Sequence, residues 1–187
     1  DKNLYEQHLK PRCLVIDIPN PMIVPDPAPV YASTSKTILS SGRLTYQKGF
    51  DMLVDVAAQV LPQHPGWQWL ILGEGEDRST LEDKIAHAGI GNQLILKGRV
   101  PDTDSYYRKS AFFVLTSRFE GLPMVLLEAK AYGLPIVSFD CPTGPSEIIE
   151  DAVNGNLVHP DDITAMAKNV DCLLSLIHIS EPTRHAQ

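Results

Sequence analysis

The stretch SRFEGLPMVLLEA, Ser117 to Ala129, carries two carboxylates, Glu120 and Glu128, around an apolar centre. An unpartnered buried carboxylate is costly, so leucines would serve stability better at both positions. Pro123 marks a helix start, which puts Glu120 in the loop before the helix and Glu128 inside it. Between them, the amides of Gly121, Leu122 and the residues after Pro123 point out of a helix N-terminus, a natural seat for an anion. A carboxylate only accepts hydrogen bonds and can hold two hydroxyls at once. Glu120 therefore suits sugar hydroxyls on one side of that anion, and Glu128 a ribose diol on the other. The competing reading is structural: a glutamate at a helix start and a helical salt bridge from Glu128 to a nearby cation. Charge placement alone leaves both open.

Other turns carry further candidates. In SGRLTYQKG, Gly42 turns the chain at a strand end, Arg43 follows it, and Lys48 opens the next helix. Such a pair suits a diphosphate, Arg as a fork of donors and Lys as a point charge; it also fits a solvated turn. GEGEDR is a weak dinucleotide motif, because the third glycine and the downstream acidic residue are missing. Gly73 and Gly75 read instead as a tight turn with open amides, and Glu74 as a solvent-facing residue or a minor contact. Asp102 and Asp104 of PDTDS form a DxD string, which holds a metal in some sugar-transferring enzymes. They directly precede a short helix, where aspartates cap amides and complement the dipole, so no metal is expected. In DCPTGPSEII, Gly144 and Pro145 lead into another helix, and Cys141 reads as an ordinary strand-end thiol.

These turns are positioned by a regular alternation beginning at Thr37. Buried-strand patterns (TILSSGRL ending in a glycine turn, WQWLILG, QLILKG, AFFVLTS, LPIVSFD, NLVHP) alternate with helical ones (FDMLVDVAAQVL, RSTLEDKIAHAGI, the short polar DTDSYYRKS, PMVLLEAKAYG, GPSEIIED, DDITAMAKNVDCLL). Near-continuous apolar strands separated by helices imply an α/β fold, a Rossmann-like parallel sheet with helices on both faces. Ligands of such sheets bind beyond the carboxyl ends of the strands, where every candidate above lies.

A chain of 187 residues that is 43% hydrophobic can bury one good core. Its net charge of −7 argues against a nucleic-acid backbone or a membrane surface held by basic residues. Three separated cysteines, Cys13, Cys141 and Cys172, form no CxxC and fit a reduced cytoplasmic protein. Residues 1–36 read as the remnant of an N-terminal domain and a proline-rich linker, residues 37–174 as one ligand-binding domain. SLIHISEPTRHAQ, Ser175 to Gln187, departs from the helical pattern before it and reads as a non-native tail.

Taken together, GRLTYQKGFDML, LILGEGEDRSTLEDKI, LKGRV, SRFEGLPMVLLEAKAYGLPIV and CPTGPSEIIEDAVNGNLV resemble the C-terminal, donor-binding half of a family-4 retaining glycosyltransferase of the GT-B fold. SRFEGLPMVLLEA matches the family's E-x7-E signature, and CPTGPSEII resembles bacterial members that build lipid-linked oligosaccharides, capsule or lipopolysaccharide. The resemblance implies Arg43 and Lys48 on the diphosphate of a nucleotide sugar, UDP-linked by expectation. It implies Glu120 near the transferred sugar, Glu128 on the ribose, and Arg99 and Val100 flanking the nucleobase. Gly42, Gly121, Leu122 and Pro123 complete the binding loops. It further implies a metal-independent hexosyltransferase without a cofactor, acting on a glycan or lipid-linked acceptor at or near the inner face of the plasma membrane. Acceptor contacts belong to the family's N-terminal half, so this chain alone is expected to transfer little. Two alternatives stand beside this reading: a sugar-nucleotide epimerase of similar architecture, and a non-catalytic nucleotide-binding module.

Overall fold

In β1 (Thr37–Ser41), Ile38 and Leu39 point to opposite faces of the sheet, and each joins a different buried cluster. The same split divides Trp69 and Ile71 from Leu70 and Leu72 in β2 (Gln68–Leu72), and Phe112 and Val114 from Phe113 and Leu115 in β4 (Phe112–Leu115). Strands that are apolar on both faces must be covered on both faces. The computed structural model, which describes Pro25, Asp26, Pro29 and residues 34–179 with side chains through Leu176, shows both covers. The Cys13 run, most of the proline-rich passage and the end of the tail lie outside the described residues.

Six parallel strands, completed by β3 (Leu94–Gly98), β5 (Ile136–Phe139) and β6 (Gly155–Val158), stand in the order β3-β2-β1-β4-β5-β6. Helices α1 (Phe50–Val60), α2 (Arg78–Ala88) and α6 (Ile163–Ile179) pack on the face of Ile38 and Trp69. Helices α3 (Asp104–Arg108), α4 (Met124–Ala131) and α5 (Pro145–Ile148) cover the face of Leu39 and Phe113. Among the described residues no helix is long and apolar enough to cross a membrane.

The polar residues inside this core are satisfied. The Ser40 hydroxyl donates to the Val114 carbonyl at 2.7 Å and accepts from the Trp69 indole at 3.0 Å. One hydroxyl thus ties three adjacent strands at a point where an unpaired group would be costly.

The expected α/β alternation is present, with four local differences. Lys48 does not open α1; it ends a 3-10 turn, Tyr46–Lys48, and Gly49 separates that turn from the helix. The DTDSYYRKS helix is not polar throughout, because Tyr107 is 1% exposed. The turn after β2 does not leave the Gly73 amide open: it donates to the Gly98 carbonyl at 2.9 Å. Gly73 and Gly75 serve close approach instead, since a Cβ on either would strike the carbonyl of Gly42 or Leu44. Finally, α6 passes through the expected break at Ser175 and runs to Ile179. The first helix breaker after Leu174 is Pro182, so the chain has no local reason to stop earlier.

Gly49 is a fixed requirement. Its φ is 62°, and a Cβ there would lie 2.1 Å from the Thr116 carbonyl oxygen. Gly49→Ala combines left-handed strain with a backbone clash, and is expected to destabilise the fold by about 2–3 kcal/mol in urea unfolding. A change below about 0.5 kcal/mol, the ordinary surface range, would show that the two loops can part freely.

Candidate functional site

After β1 the chain crosses through α1 to β2 on one side; after β4 it crosses through α4 to β5 on the other. The carboxyl ends of the adjacent β1 and β4 therefore flank a topological switch point, where the two departing loops leave a crevice. Gly42 to Gly49 form one wall and Thr116 to Pro123 the other. The sequence motifs with Arg43, Lys48 and Glu120 come from these two walls.

The walls are stitched together. The Arg118 amide donates to the Gln47 carbonyl at 2.8 Å, the Gln47 side chain to the Phe119 carbonyl at 3.1 Å, and the Thr116 hydroxyl to the Lys48 carbonyl at 3.2 Å. The Arg118 guanidinium forks onto both oxygens of Asp51, at 2.8 and 2.6 Å, and also donates to the Tyr46 carbonyl. It lies 4.1 Å from the centre of the Tyr46 ring, which is 67% exposed. Hydrogen bonding to Arg118 holds the Asp51 carboxyl below its ordinary range, against a smaller opposing effect of burial.

Across this seam Lys48 and Glu120 meet. The Lys48 Nζ lies 2.5 Å from Glu120 Oε1, and the same oxygen accepts from the Ser117 hydroxyl at 2.6 Å. The two side chains are only 14% and 5% exposed. Each charge is thus neutralised by the other at the crevice wall, which makes their burial tolerable. The sequence reading gave Lys48 and Glu120 separate tasks; in the structure they form one unit. The loop after β5 braces it from behind, with the Thr143 hydroxyl donating to the Glu120 carbonyl. Thr143 has φ 60°, an uncommon conformation for a β-branched residue. Cys141 is buried beside this group, and burial, reinforced by the Glu120 charge, pushes its thiol up to about 11. A thiol held protonated is a poor nucleophile.

Arg43 stands apart from this pairing. It is exposed and, among the described residues, makes no ion pair. With Gly42 it lines a cleft of about 280 Å³, closed on the far side by Gly73, Arg99, Val100 and Thr103. The Arg43 and Arg99 candidates therefore share one hollow, although 56 positions separate them in the chain. Glu74 is exposed, lines the same cleft and pairs with Arg78 at 2.7 Å.

Glu128 is half-buried, and its Oε2 accepts from the Tyr107 phenol at 2.8 Å. Among the described residues no cation lies at ion-pair distance from it, so the helical salt bridge considered from sequence is not made. Lys130 instead donates to the Ile148 carbonyl. Gly121 and Leu122 are exposed and Pro123 is buried, its ring against Gly144. Asp102, one residue before the Thr103 N-cap, accepts from the Ser105 amide, whereas Asp104 receives Arg108 and Tyr132. A larger hollow of about 380 Å³, lined by Lys130, Asn154 and Asn156 among others, opens at the amino ends of β5 and β6. It contains none of the candidates.

Residues 27–185 match the family described as Glycosyl transferases group 1. The chain is 45% identical over 122 residues to the amylovoran biosynthesis glycosyltransferase AmsD of Erwinia amylovora, covering 65% of this chain and 34% of that protein. It is 34% identical over 145 residues to the lipopolysaccharide 1,6-galactosyltransferase of Escherichia coli strain K12, covering 73% and 39%. A crystal structure of S. aureus TarM, in complex with fondaparinux, alpha-GlcNAc-glycerol and UDP, superposes with a TM-score of 0.84 at 26% identity. It covers 92% of this chain and 34% of that one. The chain thus spans between a third and two fifths of the length of these relatives.

The wall-to-wall pair can be tested without any ligand. Lys48→Met leaves a nearly buried carboxylate uncompensated and is expected to lower stability by about 2–3 kcal/mol. Adding Glu120→Gln should recover most of that loss, because the orphaned charge is gone. Urea unfolding reads both. Equal losses in the single and double variants would mean that the carboxylate left without Lys48 is not the source of the loss.

Proposed function

Because this chain is a member of the group 1 glycosyl transferase family, we propose that residues 37–174 bind the nucleotide-sugar donor of a retaining, metal-independent glycosyltransferase. The donor is UDP-linked, and the acceptor is a glycan or lipid-linked glycan of a bacterial surface polysaccharide. One observation carries this reading: at the switch point of the sheet an exposed arginine, without an ion pair among the described residues, lines a cleft beside a lysine–glutamate pair that joins the loops after β1 and β4. The UDP bound by TarM, a relative of known structure, supports the choice of nucleotide. AmsD and the galactosyltransferase support the choice of acceptor class by their names.

In this arrangement the nucleobase enters the cleft between Gly42 and Val100, with Arg99 at its rim. The ribose hydroxyls meet Glu128. The diphosphate lies against Arg43 and Lys48 and the exposed peptide groups of Gly121 and Leu122 at the start of α4. Transfer breaks the bond from the anomeric carbon to the diphosphate, so positive charge grows on the sugar and negative charge on the leaving group. Arg43 and Lys48 are placed to stabilise the leaving group, and Glu120 to hold the sugar's hydroxyls, with donors fixed before the charge develops. Lys48 does both jobs from one position: it holds Glu120 in place while offering its remaining protons to phosphate. Lys has three donors, so one contact with Glu120 leaves two.

Calorimetry on the purified chain tests the assignment. UDP should bind, and Arg43→Ala should weaken UDP by about tenfold or more, the worth of a lost charge-assisted hydrogen bond. The same change should leave uridine almost unaffected. Equal losses for UDP and uridine would show that Arg43 does not touch phosphate, and absence of nucleotide binding by a folded chain would remove the reading altogether.

A further inference from the structure

Tyr107 belongs to a helix of only five residues, yet it is among the most deeply buried side chains of the molecule. Its ring is stacked between Phe113 of β4 and Tyr132, with centroids 5.9 and 5.1 Å away. A tyrosine held this firmly has little choice about where its hydroxyl goes, and a buried hydroxyl must find a partner. That partner is Glu128. Because a carboxylate only accepts, the phenol is the donor across the 2.8 Å contact with Oε2.

The contact is directed, from the Tyr107 phenol to the Glu128 carboxylate. Satisfying a buried phenol is not a sufficient reason for it. Phenylalanine at 107 with leucine at 128 would avoid both the phenol and a half-buried carboxylate without a cation. The contact restricts the orientation of the carboxylate and uses one of its four lone-pair sites, leaving three free to accept from hydroxyls.

We propose that Tyr107 is a positioning residue for nucleotide recognition: it orients Glu128 so that the carboxylate meets the ribose hydroxyls of the bound nucleoside diphosphate. This rests on the assignment of Glu128 to the ribose made above. The burial of Tyr107, and then the charge of Glu128, raise its pKa, so the phenol remains a donor through neutral and alkaline pH.

The test compares UDP with 2′,3′-dideoxy-UDP by calorimetry on the full chain, for the wild type, Tyr107→Phe and Glu128→Gln. The wild type should prefer UDP by about tenfold, a charge-assisted hydrogen bond. Tyr107→Phe keeps the stacked ring and should reduce that preference to about threefold or less, while inorganic pyrophosphate binds as before. A merely structural tyrosine would weaken all three ligands together and leave the preference intact, and that result overturns the proposal. If the wild type shows no preference, the ribose assignment itself fails. If Glu128→Gln abolishes the preference and Tyr107→Phe retains it, only the role of Tyr107 fails. Should Tyr107→Phe not fold, 3-fluorotyrosine at position 107 keeps ring and hydroxyl. Its 19F signal is expected to move on binding UDP and not dideoxy-UDP, and equal movement with both contradicts the proposal.

Discussion

Lys48 and Glu120 lie 2.5 Å apart across the boundary between the two loops that leave β1 and β4. Neither charge would be tolerable so nearly buried without the other, so the loops are obliged to stay together. The neighbouring contacts enforce the same closure: Arg118 forked on Asp51, Gln47 and Arg118 exchanging backbone bonds with the opposite loop, and Gly49 pressed on the Thr116 carbonyl. The crevice at the switch point thus has walls fixed before any ligand arrives. Preorganised charge costs no rearrangement at the moment it is needed.

The sheet order makes this closure possible. At the β1–β4 boundary the connections lead away from each other, one toward β2 and one toward β5, so two strand-end loops can meet there over an open crevice. The cleft that holds Arg43 and Arg99 then extends outward over β2 and β3, on the side of the nucleoside in the proposed arrangement. Glu128 is carried by the helix that follows β4, and Tyr107 by the short helix that precedes it. In the proposed arrangement the binding functions are spread along the strand order, with charge at the switch point and base contacts toward the β3 edge.

Much of this was legible in the sequence because it is local. Apolar strand runs and intervening helical periods give the parallel sheet; Gly89 ends α2 with φ 70°, and Pro123 puts Glu120 in a loop and Glu128 in a helix. The positions of Arg43 and Arg99 at strand ends also follow from the alternation. What was not legible is long-range. Lys48 and Glu120 are 72 positions apart, and no spacing rule announces that they share one ion pair. Asp51 and Arg118 read as ordinary surface charges until the loops are folded together. Tyr107 sits in a polar-looking segment, and its burial depends on β4 and α4. Thr143 reads as part of a Thr-Gly-Pro turn, but its left-handed backbone is set by the contact with Glu120. The open amide expected at Gly73 failed for the same reason: a neighbouring strand, 25 positions on, takes it.

A crystal structure of the chain with UDP is the most direct measurement of the central claim. The account predicts the diphosphate between the Gly42–Lys48 and Glu120–Leu122 segments, the ribose at Glu128 and the base beside Val100. Nucleotide seated instead at the amino ends of β5 and β6, among Lys130, Asn154 and Asn156, would contradict it.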